Sequence, residues 1–111
     1  MTQSCASTLT RSLLGPDIFG AVNAAALPRL ETLCRTWAPG GVTRGAEYLA
    51  LNPTRNDRSI GSFCVNLRTG RWADFATGDA GGDPIALYAY LHGLKQIDAA
   101  RRLALELGVA T

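Results

Sequence analysis

The spacing of hydrophobic positions changes character twice along the chain. From Asp17 to Trp37, the apolar residues Ile18, Val22, Ala25, Leu30, Leu33 and Trp37 recur at helical spacing, which predicts an amphipathic helix capped by Asp17. Pro28 removes a backbone donor inside it, so a kink or two shorter helices are expected, the second starting near Leu27. Ala38-Pro39-Gly40-Gly41 ends the helical pattern. Short runs follow at 47–51, 62–67 and 71–75. In the middle run Phe63, Val65 and Leu67 alternate with Ser62, Cys64 and Asn66, the period of a half-buried strand. Arg68-Thr69-Gly70-Arg71 links the last two runs as a hairpin. In the third run, alternation sets Trp72 and Asp74 on one face and Ala73 and Phe75 on the other. The face carrying the acid reads as the solvent side, so Trp72 is expected to be partly exposed.

Helical spacing then returns. Asp83 is placed to cap a helix opened by Pro84, where a missing N–H costs nothing, and Ile85, Tyr88 and Leu91, with Ala89 alongside, line one face as far as Gly93. A last helix from about Gln96 to Leu107 turns Ile97, Ala100, Leu103, Ala104 and Leu107 inward, and Gly108 stops it. The elements add up to an α+β domain over 17–111. Its small antiparallel sheet of about three strands is flanked by an N-terminal helix and two C-terminal helices. Residues 1–16, rich in Ser and Thr and ending in Gly15-Pro16, read as a flexible N-terminal tail.

Composition narrows the chemistry. With 111 residues, 47% of them hydrophobic and 18% charged, the chain has the make-up of one globular domain with a modest core. The 3 cysteines, Cys5, Cys34 and Cys64, are widely spaced and form no Cys-x-x-Cys pair, which argues against a disulfide framework and a zinc quartet. No secretory signal or membrane-length apolar run is visible, so a cytoplasmic protein is expected. The lone His92 at a helix end reads as a surface residue. Serines and cysteines lack a histidine partner at any suggestive spacing, so no catalytic set and no cofactor are expected. Asp79 and Asp83 would repel a phosphate from the glycine-rich segment 78–83, and no Gly-Lys-Ser/Thr follows it, so a nucleotide loop is not expected there.

A net charge of +2 identifies no partner, but its distribution is uneven. Arg44, Arg55, Arg58, Arg68 and Arg71 fall between Thr43 and Trp72 against only Glu47 and Asp57. Arginine forks suit phosphate, and aromatic rings beside them can stack unpaired bases. Tyr48, Phe63, Trp72 and Phe75 are the aromatics available. Trp72, next to Arg71, is the expected stacking residue.

The densest signal is Asn52-Pro53-Thr54-Arg55-Asn56-Asp57-Arg58, then Gly61-Ser62-Phe63, then the stretch from Gly70-Arg71-Trp72-Ala73-Asp74-Phe75-Ala76-Thr77-Gly78 to Asp83. This resembles the zinc-ribbon domain at the amino terminus of DnaG-type DNA primases, and more closely the version in primase-helicases of phages, plasmids and integrative elements. The resemblance spans about 17–109. It implies a non-catalytic DNA-binding, template-recognition accessory domain of a mobile-element replication system, working on single-stranded DNA with a polymerase or helicase of the same element. Arg44, Arg58, Arg68, Arg71 and Trp72 are then the expected nucleic-acid contacts. The chain departs from the family at the metal: Asn52 and Arg55 stand where the first Cys and His would be, and no Cys falls near 75–78. The former metal site, Asn52, Arg55, Asp74, Thr77 and Asp79, is expected to be joined by polar cross-links instead. A protein-interaction module that docks a helicase, polymerase or host factor without touching nucleic acid is the alternative.

Overall fold

The computed structural model describes residues 16–56 and 60–110. Of the expected tail over 1–16, residues 1–15 lie outside the described residues, as do Arg58 and the side chain of Asp17, while Pro16 opens the first helix.

Pro28 divides the first helical stretch into α1 (Pro16–Ala26), a single 3-10 turn (Leu27–Arg29) and α2 (Leu30–Trp37). The five strands are β1 (Val42–Arg44), β2 (Glu47–Ala50), β3 (Phe63–Asn66), β4 (Trp72–Asp74) and β5 (Asp79–Gly81), and they are followed by α3 (Pro84–His92) and α4 (Gln96–Leu107). The strands pair antiparallel in sequence order, as a meander. The sheet therefore has five strands where the periodicity predicted about three. The additional ones, β1 and β5, are the short edges.

Local chemistry explains the turns. Asn66 Oδ1 accepts from the Arg68 and Thr69 N–H groups at the β3–β4 hairpin. Gly70 there has φ +81°, and a Cβ on it would lie 2.6 Å from the Pro84 ring, so no other residue fits. Asp83 caps α3 by accepting from the Ala86 N–H at 2.8 Å, with Pro84 in the first turn.

α3 is the hub of the core. Apolar on all sides, it is sandwiched between two layers, as such a helix must be in water. Ile85, Tyr88 and Ala89 face a helical layer with Val22 and Ala26 of α1 and Ala99, Ala100, Leu103, Ala104 and Leu107 of α4. Leu87 faces the other way, onto Tyr48, Ala50, Phe63, Val65 and Trp72 of the sheet and Leu30 and Cys34 of α2. The expectation that one face of this helix lies inward is therefore too narrow, and Leu91 is only half-buried. Ile97 is likewise half-buried, its expected inward place being taken by Ala99. The Tyr88 hydroxyl donates to Glu106, tying α3 to α4, and the Ile85 N–H donates to Asn23 Oδ1 at 3.0 Å, tying α3 to α1. Among the described residues, no helix is long and apolar enough to cross a membrane.

Candidate nucleic-acid interface and the clamp behind it

Among the described residues, helices cover only one face of the sheet. Tyr48, Ala50, Phe63, Val65, Trp72 and Asp74 point toward them and are buried. The register fixes what the opposite, uncovered face carries. Its central row runs Val42, Leu49, Cys64, Ala73 and Ala80 across all five strands. Toward one end lie Arg44 opposite Glu47 and Glu47 opposite Asn66, with the Asn66 N–H donating to the Arg71 carbonyl at 2.7 Å. Toward the other end, the Phe75 N–H donates to the Ser62 carbonyl at 2.8 Å, and the Phe75 ring is 74% exposed. Val42 and Leu51 are also exposed apolar residues.

The expected exposure of Trp72 is thus overturned: it is 5% exposed and packs in the core. Its ring lies 4.5 Å from that of Tyr90 and 6.2 Å from that of Phe63, centroid to centroid. A Cβ at Gly81 would sit 2.3 Å from Trp72 Nε1, so the indole lies directly over this glycine, and its N–H is buried without a hydrogen-bond partner. The alternation along β4 holds, but the face that carries Trp72 and Asp74 is the buried one. Of the four aromatics considered, Tyr48 and Phe63 are buried as well, and Phe75 is the exposed one. Arg44, Arg68 and Arg71 are exposed; Arg44 and Arg71 lie on the uncovered face, and Arg68 sits at the hairpin tip.

Asp74 faces inward because its charge is met. Oδ2 accepts from Asn52 Nδ2 at 2.7 Å and from Arg55 Nε and Nη2 at 3.1 and 2.9 Å. Oδ1 accepts from the Ala76 N–H at 2.9 Å. Burial on its own would raise the carboxyl pKa. The hydrogen bonds from Asn52, Ala76 and Arg55, together with the Arg55 charge, outweigh it and hold the group below its ordinary value. Arg55 also reaches Ser62 Oγ at 3.3 Å. Asn52 Oδ1 accepts from the N–H and hydroxyl of Thr54 at 2.8 and 2.7 Å, closing its own loop.

The clamp extends further than the sequence indicated. Asn52 Nδ2 also donates to the Tyr90 hydroxyl at 2.9 Å, and that hydroxyl donates to Asp79 Oδ2 at 2.8 Å. Thr77 takes a local part, its hydroxyl accepting from the Asp79 N–H at 3.2 Å. A continuous hydrogen-bonded path therefore joins Arg55, Asp74, Asn52, Tyr90 and Asp79, linking the β2–β3 loop, the β4–β5 turn and α3. Tyr90 is the member missed from sequence. Its available signal was a polar-tipped aromatic in a helix whose other ring, Tyr88, already faces the helical layer. Among the described residues, no three of His, Cys, Asp and Glu come together to hold a metal ion.

The two described cysteines differ in setting. Cys34 is buried on the inner face of α2, and burial first, then the Glu31 charge, pushes its thiol up to about 12. Cys64 is half-buried in the middle of the uncovered face, its pKa raised by burial and by Glu47.

In comparisons with known proteins, no family model matches the chain and no curated protein matches it in sequence.

Proposed function

We propose that this chain is a non-catalytic, metal-free relative of the primase zinc-ribbon domain. In this reading it holds single-stranded DNA on the uncovered face of its sheet, as a cytoplasmic accessory to the replication polymerase or helicase of a phage, plasmid or integrative element. The observation that carries the proposal is the composition of that face: an exposed Phe75 ring, a smooth row of small apolar residues, and the arginines Arg44 and Arg71 toward one end. An uncovered antiparallel sheet of this kind offers bases a surface to lie on and phosphates a fork to bind. Glu47 is the acid on this face, opposite Arg44, while Asp74 is buried against Arg55 and Asp79 is held by Tyr90. The polar clamp supports the ribbon-like assignment, because it joins the two loops that a ribbon metal would join.

The assay is binding of labelled single-stranded DNA over a range of salt. The expected outcome is saturable binding that weakens with salt at a slope of about −0.7 per phosphate neutralised, impaired by Phe75→Ala and by Arg71→Ala with little change in melting temperature. Absence of saturable binding in low salt would refute the reading.

The burial of Trp72 favours a second reading. With the expected stacking residue in the core, the row from Val42 to Ala80 also suits a partner protein. A docking face would capture the element's helicase or polymerase, lose it on Phe75→Ala, and ignore oligonucleotide.

A further inference from the structure

A pocket of about 300 Å³ opens at the β5 edge of the sheet, on the helical side, between Trp72, Asp79 and Ala80 of the strands, Ala86, Ala89 and Tyr90 of α3, and Leu94 and Gln96 at the α3–α4 junction. That volume is at the lower end of those that hold small ligands. We infer that this pocket takes one unpaired guanine base, so that a strand lying on the uncovered face is read at one position around the β5 edge. The inference rests on the nucleic-acid reading above and adds base choice to it.

The argument comes from which groups still have capacity. The Tyr90 hydroxyl is committed, donating to Asp79 and accepting from Asn52. Asp79 Oδ2 takes that one bond, which leaves the carboxylate able to accept more, and its side chain is exposed. Gln96, also exposed, brings an amide that both donates and accepts. The remaining walls are alanine and leucine, with two aromatic rings. A carboxylate with acceptor capacity to spare rejects phosphate and calls for N–H donors. Guanine presents two adjacent donors, N1–H and the 2-amino group, beside the acceptor O6; Asp79 matches the first two and the Gln96 amide the third. Thymine presents one donor between two acceptors, and adenine one donor beside an acceptor, so neither edge fits as well. Lys95, exposed and flanked in sequence by Leu94 and Gln96, supplies the cation for the phosphate left outside. The Trp72 N–H is shielded by Gly81 and takes no part in recognition, but its ring walls the pocket and serves as a reporter.

The test compares thymidine heptamers with and without a central dG, using wild type, Asp79→Asn and the pocket-filling Ala86→Leu. It also follows the Trp72 indole N–H and the Gln96 amide by NMR during titration with dGMP. The dG heptamer should bind about tenfold tighter, the scale of one good bidentate base contact. Both variants should bring the ratio close to one, and dGMP should shift both resonances saturably. If the two heptamers bind equally and dGMP shifts neither resonance, the pocket assignment falls while the uncovered face stands. If dGMP shifts them and neither heptamer binds, the pocket stands and the face reading falls. Shifts produced by N-acetyl-arginine amide and not by dGMP would overturn the inference in favour of a partner's basic side chain.

Discussion

The side-chain amide of Asn52 donates to the buried carboxylate of Asp74 over 2.7 Å, across 22 residues of sequence. With Arg55 donating twice to the same oxygen, this contact fixes the β2–β3 loop against the start of the β4–β5 turn. Removing the acceptor takes away the three hydrogen bonds that Asn52 and Arg55 donate to this carboxylate. Asp74→Ala should therefore cost about 2 to 4 kcal/mol, discounted from a fully buried pair because Arg55 keeps some solvent contact. Arg55→Ala should also destabilise, by less, and leave oligonucleotide binding per folded molecule nearly intact. Urea melts in parallel with binding curves decide; a stable Asp74→Ala protein would contradict the clamp.

Acid should weaken the protein through the same carboxylate. The folded pKa of Asp74 lies below its unfolded value, so its contribution is present in full above about pH 5, where even the unfolded carboxyl is ionised. That contribution is lost as pH falls below the unfolded value and through the folded one. Stability of the wild type should drop over this acid range more steeply than that of Asp74→Asn, whose melts should be flatter there. Equal slopes would mean that Asp74 is not held as a charged acceptor.

Metal should be irrelevant to folding. Freshly purified protein should carry no stoichiometric zinc by elemental analysis and should melt at the same temperature with and without chelator. A one-to-one zinc content would overturn the role given to Asn52 and Arg55.

Thiol chemistry maps the uncovered face. In a Cys5→Ser background, Cys34 should resist alkylation until the protein unfolds, since it is buried and its thiol is pushed to about 12. Cys64 should react slowly at neutral pH and faster as pH rises. Bound single-stranded DNA should protect it further, and protection lost on Phe75→Ala would tie both residues to one surface. Alkylation of Cys64 unaffected by a saturating strand would place the contact elsewhere.

The close approach of Gly81 to Trp72 is also testable. Gly81→Ala would force a methyl to within 2.3 Å of Nε1 in rigid geometry, so β5 or the indole must shift, at a cost of about 1 to 3 kcal/mol. Trp72→Ala should unfold or strongly destabilise the protein, the opposite of what an exposed stacking residue would do. Thermal melts of both variants check this.

The sequence made the middle of the sheet easy to read and its edges hard. β2, β3 and β4 place large side chains, Tyr48, Phe63, Val65 and Trp72, at alternate positions, so periodicity finds them. β1 and β5 are short, pair on one side only, and carry Thr43, and Asp79 and Gly81, at the inward positions where large apolar side chains would mark a strand. The face of Trp72 is not legible from β4 alone, because an aspartate usually marks solvent; four donated hydrogen bonds keep Asp74 inside, and no local pattern announces them. The resemblance did single out Asn52, Arg55 and Asp74 as facing loop residues, and hydrogen bonds join them. Tyr90 was hidden for a different reason: α3 is apolar all round, so no stripe distinguishes its sheet side from its helical side.

The strictly sequential order of the strands has a consequence for how the chain reaches its native state. Each pairing closes a short segment, so the sheet can assemble from local contacts at small entropic cost. α1 has no such neighbour. Its bond from Ile85 to Asn23 spans 62 residues, and Val22 and Ala26 are buried against groups that include α4. Docking of α1 should therefore be a late, non-local step of folding, and substitutions at Val22 should speed unfolding far more than they slow refolding. Until α4 has formed, the apolar stripe of α1 stays uncovered, and it is at this stage that the nascent chain is most open to capture by chaperones or by other copies of itself.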